Sequence, residues 1–250
     1  MKIRGPRLIT FFALLLSLPG CVPAPDTSTT PAAPVAAAES PVVGTAAIAI
    51  PDRFGAQVAE DILRAGGNAV DAAVAVGFSL AVTYLDAGNL GGGGFMLTYF
   101  DGEPAFLDYR ETAPLAAHRD MFLDAAGDVI ENASLIGARA AGVPGTVAGL
   151  WGAHQRYGTL PWKALVMPAV RLAEEGFLPA PTLVDDIRDT KDWFGDATNF
   201  WKYFGSISTE APFRQPELAR TLGRIAELGA DDFYRGETAG LLVEQMERSG

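Results

Sequence analysis

Apolar positions at the start of the folded chain follow first a strand pattern and then a helical one. Residues 45–50 are apolar and bounded by Gly44 and Pro51, which predicts a short buried strand. Asp52 is a favourable helix N-cap, and the helical pattern that follows it ends at Ala65, before two glycines. The folded part therefore begins with a predicted strand and a predicted helix.

The next predicted helix is apolar on every side. Asn68 is its N-cap, and Asp71 places a negative charge in the first turn, where the helix dipole favours it. From Ala69 to Leu85 almost every residue is apolar, and most are small. A helix without a polar face is normally buried, and small side chains let neighbouring elements approach closely. We expect this helix to lie inside the core.

A glycine-rich break and a hairpin follow the buried helix. Residues 88–94 end the helix, and the runs 95–100 and 105–109 predict two strands on either side of a turn at 101–104. Arg110 stands where the second strand ends. A strand end is a rigid base for a side chain that must hold a ligand.

The remaining pattern is mostly helical. Four further helices are predicted, at about residues 145–157, 161–176, 215–228 and 237–248. Pro168 should kink or interrupt the second of these. Residues 180–212 are predicted to be irregular. They include several aromatic residues, among them Trp193 and Phe194. These aromatic side chains could line a pocket, or they could belong to the core or to a subunit contact. The order of elements predicts a helix-rich α+β domain whose sheet is only partly present.

The N-terminus carries an export signal. Lys2, Arg4 and Arg7 precede an apolar run that is too short to span a bilayer comfortably. Residues 1–20 resemble a lipoprotein-type signal peptide, and cleavage would leave Cys21 as the lipidated N-terminus. The alternative is an ordinary secretory signal with an unrelated cysteine.

A tether is predicted between the signal and the folded part. Residues 21–41 are rich in Pro, Ala, Ser and Thr and show no apolar period, which is typical of a flexible linker. The folded domain is then expected at 42–250. With lipidation, this organisation predicts an exported protein that is held at a membrane by its lipid anchor, in the periplasm or at the cell surface.

Composition supports a globular domain and argues against a nucleic-acid partner. Hydrophobic residues make up 49% of the chain and charged residues 20%, so a sizeable core can be buried. The formal net charge is -11, and the basic residues are scattered singly. Binding to phosphates would require a concentrated basic face. We therefore expect no nucleic-acid partner.

Several common kinds of active site lack the residues they require. Cys21 is the only cysteine, so an intrachain disulfide is impossible and a cysteine nucleophile is excluded if Cys21 is lipidated. His118 and His154 have no second ligand at metal spacing, and no GxSxG motif is present. The acidic residues that occur as adjacent pairs are better explained by solvated faces than by a glycosidase acid and base. No metal or cofactor is expected.

Two features remain as candidates for chemistry. The glycines at 91–94 could form a backbone cradle for an anion, or they could allow a tight turn and close packing of strand against helix. Arg110 presents a planar fork of donors that can hold a carboxylate with two hydrogen bonds. Its alternative is an ordinary salt bridge with Asp108, Glu111 or another acid.

Several sequence motifs occur in a fixed order along the folded part. They are AGNLGGGGF at 87–95, YRETAP at 109–114, PGTVAG at 144–149 and DFYRG at 232–236. In type and order these motifs resemble the gamma-glutamyltranspeptidases, from about Val42 to Gly250. The resemblance covers about the first two fifths of a precursor in that family.

The resemblance implies a fold and a role for one residue. Members of the family fold as N-terminal-nucleophile hydrolases, a four-layer αββα sandwich, of which this chain would be an incomplete, large-subunit portion. The arginine of the aromatic-Arg-Glu-x-Ala-Pro motif binds the α-carboxylate of the gamma-glutamyl group. That position is Arg110 in this chain.

The resemblance also implies an activity that needs more than these residues. Family precursors cut themselves, and the freed threonine of the small subunit attacks gamma-glutamyl amides such as glutathione and transfers the acyl group to water or an amino acid. That threonine lies beyond Gly250, so the chain is expected to be inactive alone and to need the small subunit or C-terminal remainder. A cephalosporin-acylase-like amidase and a non-catalytic surface lipoprotein binding module are the alternatives.

Overall fold

The structure is a computed structural model that describes residues 46–190 and 198–249. The predicted signal peptide, Cys21 and the predicted tether lie outside these residues, as do Trp193 and Phe194. Within the described residues, no helix is both long and apolar enough to cross a bilayer.

Helices dominate the described chain. They are α1 (Arg53–Arg64), α2 (Ala69–Thr83), α3 (Thr146–Tyr157), α4 (Trp162–Glu175), α5 (Pro181–Asp189), α6 (Phe200–Phe204), α7 (Pro216–Leu228), α8 (Ala230–Arg235) and α9 (Glu237–Ser249). Two antiparallel strands, β1 (Phe95–Phe100) and β2 (Glu103–Asp108), form a hairpin, and a short 3-10 turn spans Ala138–Ala140. The predicted helix-rich α+β class is confirmed.

The apolar helix α2 lies at the centre of the core, as its sequence predicted. It packs against α1 and α4, and α4 packs in turn against α7. Phe78 of α2 is fully buried and meets Trp162 edge to face, with ring centroids 5.4 Å apart. Leu165 and Leu222 are also fully buried. Burial of this apolar surface is the main source of stability in the helical layer.

Two N-caps that the sequence predicted start α1 and α2. The Asp52 carboxylate accepts the Gly55 amide at 2.6 Å. The Asn68 side chain accepts the Asp71 amide at 3.0 Å, and the Asp71 carboxylate accepts the Asn68 amide at 2.9 Å. This reciprocal pair is a capping box, which satisfies amides that have no partner inside the helix.

Asp71 also joins α2 to the loop between α3 and α4. Its fully buried carboxylate accepts the amide of Thr159 at 3.0 Å and the hydroxyl of the same residue at 2.5 Å. Burial raises the pKa of Asp71, but the hydrogen bonds from Thr159, Asn68 and Leu160 outweigh burial and lower the pKa below its ordinary value. The ionised carboxylate is therefore the form that the fold stabilises.

The structure corrects two sequence predictions and narrows a third. Residues 46–50 are not a strand, because within the described residues no other segment pairs its backbone with them, and a strand requires a partner. Helix α4 continues through Pro168, so of the predicted kink or interruption the interruption is absent. Residues 180–212 are not irregular throughout, because α5 and α6 lie within them; α5 starts with a proline at its first position, where the missing amide costs nothing.

The aromatic side chains of α6 lie against the core. Phe200, Trp201 and Phe204 are partly buried and pack on the buried apolar cluster, and Phe204 contacts Phe213 at a ring-centroid distance of 6.0 Å. For these described residues, the core alternative is confirmed and the pocket alternative is not.

Candidate functional site

Arg110 lies at the end of the hairpin, where backbone hydrogen bonds fix the chain. Tyr109 and Gly94 extend the strand pairing: the Tyr109 amide donates to the Gly94 carbonyl at 3.0 Å, and the Gly94 amide donates back at 3.3 Å. The Arg110 amide donates to the Asp108 carboxylate at 3.0 Å. The Arg110 backbone is therefore anchored directly from the strand side.

A second anchor lies on the other side of Arg110. The Val143 amide donates to the Thr112 carbonyl at 2.8 Å, and the Thr112 amide donates to the Val143 carbonyl at 3.3 Å. This bridge joins the loop after Arg110 to the segment that leads into α3. The loop is thus held by main-chain bonds at both ends, which suits a side chain that must be preorganised.

Two glycines of the 91–94 run allow the hairpin to pack closely on this loop. A Cβ atom at Gly93 would lie 2.5 Å from the Tyr109 carbonyl oxygen and 2.6 Å from the Glu111 amide nitrogen. At Gly94 it would lie 2.9 Å from the Tyr109 ring. Real side chains do not tolerate such distances to backbone atoms. The close-packing alternative is confirmed for Gly93 and Gly94, whereas a Cβ atom at Gly91 would meet no other atom within 4 Å.

Glycines at the start of α3 contact the same loop from another direction. A Cβ atom at Gly145 would overlap the Tyr109 carbonyl oxygen, and one at Gly149 would overlap the Tyr109 side chain at Cβ and the ring. The Gly92 carbonyl accepts the amides of Gly145 at 2.7 Å and Thr146 at 3.0 Å. The N-terminus of α3, the glycine run and the Arg110 loop therefore form one tightly packed unit.

Arg110 lines an open cleft of roughly 540 Å³. The cleft is bounded by Asn89, Gly91, Gly92, Arg110, Glu111, Thr112, Ala113, Ala140, Ala141 and Gly142. Arg110 is exposed, and among the residues that the structure describes it forms no ion pair. The alternative salt bridge with Asp108 or Glu111 is absent. The geometry leaves a guanidinium on a rigid loop, facing a cleft that can admit a carboxylate.

Sequence reasoning missed the contribution of Tyr234 to this region. Its hydroxyl donates to the Pro144 carbonyl at 2.9 Å and accepts the Ala148 amide at 3.1 Å. Burial raises the pKa of Tyr234, although the hydrogen bond from Ala148 acts in the opposite direction. The hydroxyl therefore stays protonated at neutral pH and can donate. Its partners are about 90 residues away in sequence, so no local pattern could have revealed them.

The histidines have no metal partners in the part of the chain that is described. Nε2 of His154 lies 2.8 Å from the Leu160 carbonyl oxygen, and its ring packs beside Trp151 and Trp162. Within residues 46–190 and 198–249, no three His, Cys, Asp or Glu side chains are grouped so that they could hold a metal ion.

Comparison with known proteins decides the family. A family model described as gamma-glutamyltranspeptidase matches residues 55–250, which is most of the chain. The chain belongs to the gamma-glutamyltranspeptidase family. Its resemblance in the glycine, YRETAP, PGTVAG and DFYRG motifs is thereby confirmed, and these residues are its large-subunit N-terminal part.

Curated relatives in the family are much longer than this chain. A glutathione hydrolase proenzyme of Pseudomonas aeruginosa is 58% identical over 202 residues, which cover 81% of this chain and 36% of that protein. A glutathione hydrolase proenzyme of Escherichia coli is 44% identical over 209 residues, again covering 36% of its length. The chain thus spans little more than a third of these relatives.

Solved structures agree on the fold. A gamma-glutamyltranspeptidase from Pseudomonas nitroreducens, complexed with L-DON, superposes with a TM-score of 0.80 at 57% identity, covering 82% of this chain and 61% of that one. A cephalosporin acylase from Bacillus halodurans superposes with a TM-score of 0.69 at 29% identity, covering 78% of this chain and 38% of the acylase. The prediction of a partial N-terminal-nucleophile hydrolase fold is confirmed.

Proposed function

We propose that this chain is the N-terminal portion of an enzyme that cleaves gamma-glutamyl amides, with glutathione as the representative substrate. The observation that carries the proposal is the position of Arg110: it belongs to the YRETAP motif, lines the cleft and forms no ion pair among the described residues. A substrate with a free α-carboxylate would supply the missing partner.

In this proposal Arg110 binds the amino-acid end of the donor. The planar guanidinium makes two parallel hydrogen bonds to the α-carboxylate, which orients the gamma-carbonyl at a fixed distance from the clamp. The packed glycines keep the Arg110 backbone in place, so that substrate binding need not order the loop. The chain's own contribution is therefore binding and orientation rather than bond breaking.

The bond-breaking residue belongs to the part of the family that this chain does not cover. There, a threonine hydroxyl adds to the gamma-carbonyl, and the leaving amine departs to give a gamma-glutamyl ester on the threonine. Water or an amino acid then takes the acyl group and regenerates the hydroxyl. The names of the curated relatives, which are proenzymes, support processing of a precursor; the proposal places the clamp in the large subunit and the nucleophile in the small one.

The acylase-like alternative has weaker support. The chain is 29% identical to the cephalosporin acylase, against 57% to the Pseudomonas gamma-glutamyltranspeptidase over a comparable share of the chain. A non-catalytic lipoprotein module remains the second class of alternative, and turnover is the property that separates it from both enzymes.

We also propose that the protein is exported and anchored through Cys21. The support is the order of charged and apolar residues in 1–20 and the position of the only cysteine directly after them. Metabolic labelling with a radioactive fatty acid should label the wild type and not Cys21→Ser. Absence of label from the wild type would contradict the anchor and leave an ordinary secretory signal, whereas equal labelling of both would contradict attachment at Cys21.

The proposed activity is tested on the protein purified from its native source. We expect intact-mass measurement to find two co-purifying chains, and we expect the preparation to release the chromophore from a gamma-glutamyl anilide. A glutaryl anilide, which lacks the α-amino group but keeps the carboxylate at the far end of the acyl chain and resembles acylase substrates, serves as the comparison. Preferential turnover of the glutaryl compound would favour the acylase, and no turnover of either would favour the binding module.

A further inference from the structure

We propose that Tyr234 is a positioning residue for Arg110: through its hydroxyl it fixes the start of α3 against the loop that carries the carboxylate clamp. The proposal rests on the function proposed above, because the role concerns binding of a donor by Arg110. It assigns to α8 a part in substrate binding that does not involve contact with the substrate.

The hydroxyl of Tyr234 supplies a side-chain partner that the N-cap residue of α3 cannot provide. The first amides of a helix have no partner inside it, and side chains usually satisfy them. The N-cap of α3 is Gly145, which has no side chain to do so. The Tyr234 hydroxyl instead accepts the Ala148 amide at 3.1 Å and donates to the Pro144 carbonyl at 2.9 Å.

The Tyr234 hydroxyl binds to residues of the segment 143–148, and this segment contacts the loop that carries Arg110. Pro144 is flanked by Val143, whose amide bonds to Thr112, and by Gly145, whose amide bonds to Gly92. A Cβ atom at Gly145 would also lie 3.1 Å from the Arg110 carbonyl oxygen. A small shift of the 143–148 segment would therefore be transmitted directly to the Arg110 backbone, because close-packed atoms leave no room to absorb it.

The contacts indicate that the Tyr234 hydroxyl positions the loop that carries Arg110 and does not only stabilise the fold. Ala148 is exposed, so water can replace the lost partner when the hydroxyl is removed, and the fold should survive. Water cannot reproduce the fixed bridge between two points of the segment. The expected consequence is a looser Arg110 loop in a folded protein.

The test measures kcat and KM for three variants of the full-length protein that each lack one hydroxyl. A gamma-glutamyl anilide is the donor in every assay. Tyr234→Phe should raise KM by about 3- to 10-fold, the effect of one lost hydrogen bond, with kcat changed less than about twofold. Tyr203→Phe removes the hydroxyl of an exposed tyrosine on α6 and should leave both constants unchanged. Thr83→Val removes a buried hydroxyl that donates to Asp52, the N-cap residue of α1. This variant controls for a loss of stability that does not involve the loop carrying Arg110.

A double-mutant comparison separates positioning from a merely structural effect. If Tyr234 acts through Arg110, then Tyr234→Phe should raise KM in the wild type and have no further effect in Arg110→Ala. An equal rise in both backgrounds, or a rise matched by Thr83→Val at the same loss of melting temperature, would overturn the positioning role. Failure of the wild type to use any gamma-glutamyl donor would instead overturn the proposed function, and this inference with it.

Discussion

Helix α2 and the outer face of the hairpin are both apolar, but only one of them is covered. Phe78 in α2 is fully buried, whereas Leu97, Tyr99 and Phe106 on the hairpin are 77%, 73% and 63% exposed. The strand register places Leu97 directly opposite Phe106, so these side chains form one continuous face. Among the described residues, none covers it.

Among the described residues, the helical layer around α2 is therefore fully packed, whereas the hairpin is packed on one face only. Alternate residues of β1, such as Met96 and Phe100, pack on the helical core, which leaves the outer face for another layer. Apolar faces of this kind are normally buried against a partner element. Arg110 follows this hairpin directly, so the proposed clamp lies at the boundary between the packed helical layer and the uncovered face.

The largest expected effect comes from removing a core side chain. Phe78→Ala should lower the free energy of unfolding by about 3–5 kcal/mol, because it deletes a fully buried ring and leaves a cavity. Leu97→Ala on the uncovered face should change it by less than about 0.5 kcal/mol in this chain. Urea unfolding of both variants measures the contrast. Similar losses would show that the hairpin face is buried after all.

Asp71→Asn should produce the next largest loss, about 2–3 kcal/mol. The amide group would turn a donor toward the amides of Asn68 and Thr159, so that buried donors face each other. The comparison variant is Asp61→Asn: within the described residues the Asp61 carboxylate accepts only the exposed Gln57 side-chain amide, so its replacement should cost little. Urea unfolding at neutral pH checks both.

The same residue predicts a dependence on pH. Because the pKa of Asp71 is lower in the folded than in the unfolded chain, its stabilising contribution is fully present above the unfolded pKa and is lost as the pH falls through the folded value. Wild type should therefore lose stability below about pH 4 by more than Asp71→Asn does. Parallel acid-dependence of the two proteins would contradict the assignment.

Gly149 and Gly152 of α3 form a matched pair of sites, and substitutions there should change stability by less than Phe78→Ala does. Gly149→Ala would place a methyl group in the Tyr109 side chain and should cost about 1–3 kcal/mol. Gly152→Ala faces open space in the same helix and should stabilise by about 0.5–1 kcal/mol, since alanine favours the helix. Thermal melting of both variants tests whether close packing on the Arg110 loop, rather than helix propensity, requires the glycine at 149.

Local features of the sequence were sufficient for much of the fold. The caps at Asp52 and Asn68, the all-apolar helix α2 and the hairpin depend on residues close together in the chain, so their patterns are visible directly. The predicted strand before Pro51 was wrong because strand formation depends on a distant partner. Helices α5 and α6 were missed because they are short, with nine and five residues, and neither has a side-chain hydrogen bond at its N-cap.

The candidate site was only partly accessible to the same reasoning. Family motifs indicated Arg110, but the cleft is assembled from three separate segments, at 89–92, 110–113 and 140–142. The Tyr234 cap joins residues about 90 positions apart. Such juxtapositions follow from tertiary packing and leave no periodic signal.

The proposed role of Arg110 is tested most directly by removing either the guanidinium or the substrate carboxylate that it is proposed to hold. In the full-length protein, Arg110→Ala should raise KM for a gamma-glutamyl anilide by about 30- to 1,000-fold, equivalent to about 2–4 kcal/mol, and Arg110→Lys should recover only part because lysine lacks the planar fork. A 4-aminobutyryl anilide has the same acyl chain and amine but no α-carboxylate. Because this donor has no carboxylate for Arg110 to bind, we expect a high KM that Arg110→Ala leaves unchanged. Equal losses for both donors, or an unchanged KM for the gamma-glutamyl donor, would contradict the carboxylate clamp.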